Sequence, residues 1–140
     1  MNKRELHLFN IAKEVSYMSD YHGQHLGAVV VEGKTVISTG FNSQKTNPLQ
    51  HKYNMYRGFK DRRQSIPKCH AEIAALNHLI GKEIEWNKVS IFVYREWKNG
   101  TPACSRPCRA CMKAIKDLGI KNIYFIDENG KYCKERSLND

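Results

Sequence analysis

The sequence contains two decisive runs, Cys69-His70-Ala71-Glu72 and Pro107-Cys108-Arg109-Ala110-Cys111. The first has the pattern His-x-Glu and the second has the pattern Pro-Cys-x-x-Cys. One imidazole and two thiolates make three protein ligands for zinc and leave the fourth tetrahedral position open to water. Catalytic zinc sites keep such an open position, whereas structural sites are closed by a fourth ligand. The two runs therefore predict a catalytic zinc held by His70, Cys108 and Cys111.

Both runs are expected at the start of helices. Residues 70–80 are rich in Ala and Leu and predict one helix. Residues 108–118 predict a second, core-facing helix, for which Pro107 suits the first turn. The two cysteines lie three residues apart and would project from one face of that helix. Because helix N-termini carry partial positive charge, they stabilise thiolates, and we expect the two helix starts to converge on one metal ion.

The rest of the chain alternates between helical and extended patterns. Residues 2–21 predict an amphipathic helix with five core-facing positions, which are Leu8, Ile11, Ala12, Val15 and Met18. Residues 26–31 and 35–41 predict a β-hairpin, and further strands are predicted over 89–95 and 120–126. A segment without clear period covers 42–68, and 127–133 reads as a turn followed by a short antiparallel strand or a frayed tail. This order predicts a single domain over 1–140, an α/β fold with a three-layer α/β/α sandwich around one mixed sheet.

Composition and charge narrow the class of protein. The net charge of +9 favours an anionic partner such as a phosphorylated nucleotide or a nucleic acid. No apolar run approaches the roughly 20 residues that a membrane helix needs, and the start of the chain lacks the apolar run of a secretory signal. We therefore read Cys69, Cys104 and Cys133 as reduced thiols and expect a cytoplasmic protein without a membrane partner.

At these motifs the chain resembles the cytidine deaminase superfamily, and more narrowly the deoxycytidylate deaminase-like proteins. The resemblance covers roughly residues 26–126. The run 26–31 looks like the first strand of that fold, and Ser38-Thr39-Gly40-Phe41-Asn42 is similar to its second strand, which ends in a Gly-aromatic-Asn turn. The resemblance implies a cytidine deaminase-like fold and a hydrolytic reaction, in which water attacks C4 of cytosine, ammonia leaves and uracil remains.

The resemblance also implies roles for individual residues. One Zn²⁺ per chain would be bound by the histidine and the two cysteines of the motif. Glu72 would move protons, first as general base toward water and then as general acid toward the ring nitrogen and the departing ammonia. Asn42 would contact the sugar hydroxyl, and the backbone around Ala71 and Ser105 would bind the edge of the base. Members of the family are usually oligomers, so a homo-oligomer is expected.

Two features differ from the usual family pattern. The 34 residues 73–106 between the two motifs make a longer spacing than is usual, and we place the extra length in the loop 96–104 near the mouth of the site. The chain also has no clear helix after residue 126. A short terminal hairpin is more similar to the free cytidine deaminases than to the deoxycytidylate deaminases or the nucleic-acid editors.

The basic segment 45–68 is the best indication of the substrate. It interleaves aromatic residues with cations, among which Arg57, Arg62 and Arg63 are candidates to contact substrate phosphate. One such side chain would suffice for the 5′-phosphate of a free nucleotide, and we expect dCMP. The same segment could instead follow the backbone of single-stranded DNA or RNA while its aromatic rings stack on bases.

Other interpretations of the motif remain open at this point. Adenine is a less favoured target base. A closed structural zinc site would need a fourth ligand, such as Cys69 or Cys104. A zinc-binding module without catalytic activity would have no use for Glu72.

Overall fold

The computed structural model describes residues 1–21, 23–45, 47–56 and 69–136, and in them one five-stranded sheet is covered by helices on both faces. The helices are α1 (Lys3–Ser16), α2 (Pro48–Tyr53), α3 (Ala71–Asn77) and α4 (Arg109–Leu118). The strands are β1 (His25–Glu32), β2 (Thr35–Phe41), β3 (Val89–Glu96), β4 (Asn122–Ile126) and β5 (Tyr132–Arg136). The predicted α/β sandwich around a mixed sheet is confirmed.

The sheet has the strand order β2-β1-β3-β4-β5. Strands β3 and β4 are parallel and are joined through α4, and the other neighbouring pairs are antiparallel. The carboxyl ends of β3 and β4 therefore lie at the same edge of the sheet. The starts of α3 and α4, which carry the two runs of the predicted zinc motif, lie at this edge.

Two apolar cores lie on the two faces of the sheet. Helices α3 and α4 cover one face, which buries alternate residues of β1 and β3 such as Ala28, Val30 and Val93. Helix α1 covers the other face, where Phe9 packs edge-on against Phe92 with ring centroids 5.2 Å apart. Because β1 and β3 are buried on both faces, their sequences read as nearly continuous apolar runs.

Two glycines allow helices to lie directly on the sheet. A Cβ added at Gly40 in β2 would come within 2.4 Å of the Ala75 amide nitrogen of α3, and one added at Gly27 in β1 within 2.0 Å of the Ala12 carbonyl oxygen of α1. Only a residue without a side chain permits such contacts. The position of α3 over β2 therefore depends on Gly40.

The first helix is shorter than predicted. It begins at the Asn2 cap, whose side chain accepts the Glu5 N–H while the Glu5 carboxylate accepts the Asn2 N–H, and it ends at Ser16. Met18 therefore lies beyond the helix and is 64% exposed, so the prediction that it faces the core is wrong. Phe9, which the predicted stripe omitted, is completely buried instead.

The segment after β2 contains regular structure that its sequence pattern did not indicate. Helix α2 begins at Asn47, whose side chain accepts the N–H groups of Leu49 and Gln50, and Pro48 fills its first position. A 3-10 turn, Asn54–Tyr56, follows. At the other end of the chain, β5 is antiparallel to β4, which confirms the strand rather than the frayed tail over 132–136. No helix in the described ranges is long and apolar enough to span a membrane.

Candidate active site

The structure brings the three predicted zinc ligands together. His70 is the N-cap of α3 and Cys108 is the N-cap of α4, while Cys111 lies in the first turn of α4. The Nδ1 atom of His70 is 3.5 Å from the Sγ atom of Cys108 and 3.3 Å from that of Cys111. All three donor atoms lie within 4.8 Å of one another. Two helix starts thus converge at the sheet edge, as the motif spacing predicts.

These donors fit a tetrahedral zinc ion. Bonds of about 2.0 Å to nitrogen and 2.3 Å to sulfur place the two ligand atoms about 3.5 Å apart at the tetrahedral angle. Within the part of the chain that the structure describes, the metal-binding group consists of these three residues, and neither Cys69 nor Cys104 joins it. The donor set is therefore the threefold one of a catalytic site. One imidazole with two thiolates is a set that zinc accepts readily.

The two thiols differ in their affinity for protons. The hydrogen bond from Cys111 is the main cause that lowers the pKa of Cys108 to about 4, and His70 lowers it further. Burial is the main cause that raises the pKa of Cys111 well above its ordinary value. Cys108 is thus the more acidic of the two thiols, and Cys111 holds its proton more tightly. Loading the cluster with zinc would release that proton, because the metal ligand is the thiolate.

Glu72 lies beside the cluster, in the first turn of α3. Its side chain is buried, and one carboxylate oxygen, Oε1, has no hydrogen-bond partner among the described residues. Burial is the main cause that raises the pKa of Glu72 to about 7, and the charge of Cys108 contributes. A carboxyl group with such a pKa can both accept and donate a proton at neutral pH. The orphaned oxygen indicates that a polar group, such as a water or a substrate atom, belongs next to it.

Gln50 in α2 supports the metal site and was missed at the sequence level. Its Oε1 accepts the His70 N–H at 2.9 Å, and its Nε2 donates to Asn54 Oδ1 at 2.8 Å. The side chain is almost completely buried. Gln50 therefore satisfies one of the N–H groups that the start of α3 leaves without an intrahelical acceptor. The pair Asn47-Pro48 could have indicated a helix start, but no local signal connects Gln50 with His70.

Asn42 directly follows β2 and directly precedes Ser43, which forms a β-bridge with Cys69 just before α3. Its Oδ1 accepts the Leu26 N–H and its Nδ2 donates to the Gln24 carbonyl, each at 2.9 Å. The next residue, Ser43, exchanges two backbone hydrogen bonds with Cys69. The Asn42 amide thus fixes the start of β1 at the site. Its contact with a sugar stays a prediction and would use the second lone pair of Oδ1 or the second N–H of Nδ2.

The Ser105 hydroxyl joins the ends of β3 and β4. It donates to the Val93 carbonyl and accepts the Ile126 N–H, each at 2.7 Å, while the Ser105 N–H donates to the Ile126 carbonyl at 2.9 Å. Because the Ser105 N–H is already bonded, the carbonyl oxygen of Ser105 is the backbone group that could accept a hydrogen bond from a base. Ala71 is the first residue of α3, so its N–H points out of the helix start.

The predicted phosphate contacts Arg57, Arg62 and Arg63 lie outside the described residues. A different basic surface is visible on α4, beside the cysteine ligands. It surrounds a hollow of about 400 Å³ that is lined by Tyr56, Arg106, Arg109, Met112, Lys113 and Lys116. The sequence pattern does not indicate this surface, because its cations are spread over one helix face and the loop before it.

Comparison with known proteins agrees with the geometry. A family model described as the cytidine and deoxycytidylate deaminase zinc-binding region matches residues 2–127. The fold is similar to that of a cytidine deaminase from Burkholderia pseudomallei, with a TM-score of 0.61, 17% identity, and coverage of 97% of this chain and 93% of that chain. It is also similar to apo dCMP deaminase from the cyanophage S-TIM5, with a TM-score of 0.61, 21% identity, and coverage of 91% and 86%. No curated protein sequence gives a significant match. At such identities the two structures establish the fold alone.

Proposed function

The chain belongs to the cytidine and deoxycytidylate deaminase family, and we propose that it acts on cytosine in a free nucleotide, with dCMP as the leading candidate. Membership and the His-Cys-Cys cluster make it a zinc-dependent hydrolase that converts cytosine to uracil with release of ammonia. The proposal concerns the rest: which molecule carries the cytosine, and which residues do the chemistry.

The roles of the site residues follow from their positions. His70, Cys108 and Cys111 would hold one Zn²⁺, which supplies a Lewis-acidic position for activating water at neutral pH. Glu72 accepts a proton from the attacking water and donates it to the ring nitrogen N3. It then accepts the proton of the new hydroxyl group at C4 and donates it to the amino group, which leaves as ammonia. The observation that carries this assignment is the buried Glu72 carboxylate, whose Oε1 lacks a partner in the described residues. The burial that raises the pKa of this group to about 7 is consistent with the role.

The backbone at the two helix starts would orient the base. The Ala71 N–H can donate to the carbonyl oxygen at C2 of cytosine. The Ser105 carbonyl can accept from the amino group at C4. Both groups belong to rigid elements, since Ser105 is tied to β3 and β4 and Ala71 begins α3. A base held in this way presents C4 to the water that Glu72 deprotonates.

Charge supports a nucleotide rather than a nucleoside. The net charge of +9 favours an anionic substrate, and exposed cations lie next to the cysteine ligands. The antiparallel β4–β5 hairpin corresponds to the short terminal hairpin by which the sequence resembles the free cytidine deaminases. Deoxycytidine is therefore the necessary comparison substrate.

A second candidate function is deamination within single-stranded DNA or RNA. The basic hollow on α4 favours it, because exposed Arg109 and Lys116 could follow a phosphate backbone while Tyr56, 43% exposed, stacks on a base. Two further cations of the hollow are already engaged in ion pairs, Arg106 with Glu135 and Lys113 with Asp117. This engagement leaves fewer charges for a strand, and for that reason we place the free nucleotide first.

The deciding experiment measures deamination by mass spectrometry on deoxycytidine, dCMP, CMP and single-stranded oligonucleotides that contain C or A. We expect turnover of dCMP. Glu72→Gln should retain zinc but lose roughly 10²- to 10⁴-fold in rate, because it cannot transfer the proton. A protein that leaves every cytosine substrate unchanged would refute the proposal, and turnover in oligonucleotides alone would replace it with the second candidate. A homo-oligomer stays a prediction, which analytical ultracentrifugation would test.

A further inference from the structure

Arg95 lies at the active-site edge of the sheet, between the groups assigned to the sugar and to the base. It is directly opposite Leu26 in the β1–β3 pair, and the Leu26 N–H is bound by Asn42. Val93, two residues earlier on the same face of β3, accepts the Ser105 hydroxyl. Arg95 therefore lies next to Asn42, the predicted sugar contact, and close to the segment around Ser105 that would bind the base.

The guanidinium of Arg95 is only partly satisfied by the protein. One terminal nitrogen, Nη1, donates to the Cys104 carbonyl at 3.1 Å, and the group lies 4.9 Å from the centre of the Trp97 ring. Its Nε is buried and has no hydrogen-bond partner in the described ranges. No carboxylate among the described residues forms an ion pair with it. Burial of a cation with an unpaired hydrogen-bond donor costs free energy unless an anion binds to it.

The surroundings hold this side chain in place. After β3 the chain turns at 97–100 and returns along the strand, where the Ala103 N–H donates to the Arg95 carbonyl and Glu96 pairs with Pro102. This returning segment provides the Cys104 carbonyl, so the loop 96–104 orients the guanidinium. Trp97, which is 45% exposed, covers one face of it. The guanidinium is thus preorganised at the mouth of the site.

We propose that Arg95 binds the 5′-phosphate of the nucleotide substrate and so selects a nucleotide over a nucleoside. This inference rests on the proposed function. A guanidinium offers a planar fork of donors that matches two phosphate oxygens, which a lysine ammonium does not. Asn42 is the predicted sugar contact, and the group that follows the sugar in a nucleotide is the 5′-phosphate. Arg95 is the described cation beside Asn42 in the strand register.

The first test compares kcat/KM for dCMP and deoxycytidine in the zinc-loaded wild type, Arg95→Gln and Arg95→Lys. Arg95→Gln should lose roughly 10- to 150-fold with dCMP, the range expected for charged hydrogen bonds, and change deoxycytidine turnover less than threefold. Arg95→Lys should fall between. Lys98→Gln is the matched control, since it removes one exposed cation from the adjacent turn and should leave both substrates unaffected.

The second test needs no variant, so it holds even if Arg95→Gln does not fold. The buried Nε–H of Arg95 should give an observable ¹H–¹⁵N signal in the wild type, and adding the product dUMP should shift it while deoxyuridine should not. An unshifted signal with bound dUMP would overturn the assignment. Equal losses on both substrates in Arg95→Gln would also overturn it, because they would indicate a role in holding the site.

If the wild type prefers dCMP and Arg95→Gln keeps that preference, only the Arg95 inference fails. If the wild type turns over neither dCMP nor CMP, the proposed function fails, and the dUMP titration still decides whether Arg95 binds phosphate.

Discussion

Replacing Gly40 by alanine should disturb the active site from the far side of α3. The added Cβ would lie 2.4 Å from the Ala75 amide nitrogen and 2.5 Å from the Ala71 carbonyl oxygen. Ordinary contacts between such atoms are about 3.5 Å, so the shortfall is about 1 Å. Both opposing atoms belong to the helix backbone, and no side-chain rotation can relieve the clash. Helix α3 must move away from β2, and it carries His70 at its start and Glu72 in its first turn.

The size of the effect follows from the displacement. Overpacking a core costs about 1–3 kcal/mol, and a rigid backbone neighbour favours the upper end of that range. For a domain of this size, such a loss lowers the Tm by roughly 3–10 °C. A shift of about 1 Å in catalytic groups costs on the order of 100-fold in rate. We therefore expect Gly40→Ala to be folded at 20 °C, to bind zinc more weakly and to lose most of its kcat.

Gly27→Ala is the matched control. Its Cβ would lie 2.0 Å from the Ala12 carbonyl oxygen and 2.7 Å from the Ser16 nitrogen, so it overpacks α1 on the opposite face of the sheet. It should lose as much stability as Gly40→Ala while keeping zinc affinity and kcat. The assays are thermal unfolding, chelator competition for zinc, and deamination well below both midpoints. Our account of how α3 is positioned is refuted if Gly40→Ala keeps wild-type zinc affinity and turnover, or if both variants impair the site equally.

Three further predictions concern stability. Ser105→Ala leaves the buried Ile126 N–H without its acceptor and should cost about 2–4 kcal/mol, which an unchanged denaturant midpoint would contradict. The hydrogen bond from Lys113 is the main cause that lowers the pKa of Asp117 below its ordinary 3.8, and the Tyr53 hydroxyl lowers it further. The ionised Asp117 carboxylate therefore stabilises the fold above pH 3.8, and this contribution is lost as the pH falls through the lowered pKa. Asp117→Asn should thus lower the Tm at pH 7 and match the wild type in strong acid, and a pH-independent difference would argue against the linkage. Removing zinc with a chelator should lower the Tm, by an amount that corresponds to about 4 kcal/mol at a free zinc concentration 1,000 times the Kd, and restored zinc should reverse the change.

Much of the fold could be predicted because its signals are local. The β1–β2 hairpin and the end of α4 at Gly119, which has a φ of +94°, follow from turn chemistry and short-range period. The end of α1 does not follow from such local signals. Its apolar spacing continues to Met18, but the helix stops at Ser16, next to the position where α1 lies on Gly27 of β1. This packing of α1 on β1 joins distant parts of the chain, and the apolar spacing of one helix does not encode it.

The His-Cys-Cys cluster could be predicted from the sequence, whereas the residues that surround it could not. Each of the two motifs, His-x-Glu and Pro-Cys-x-x-Cys, lies within the first turn of one helix, so its residues are recognisable from their local spacing. Gln50 supports His70 from 20 residues away, and nothing in either segment encodes the pairing. Arg95 faces the site only because of the strand register, since a shift of one residue would turn it toward α1.

The position of each cation decides more about the substrate than the net charge does. Exposed cations such as Arg109 and Lys116 attract any anion, and salt screens them over about 10 Å, so they discriminate only weakly between a free nucleotide and a strand. The Arg95 guanidinium is sheltered by Trp97 and the returning loop, and its charge is screened far less. In the proposed binding mode a single phosphate beside Asn42 would interact with that charge, whereas further phosphates of a strand would have to use the solvated surface. The described geometry therefore favours a substrate that carries its charge close to the base.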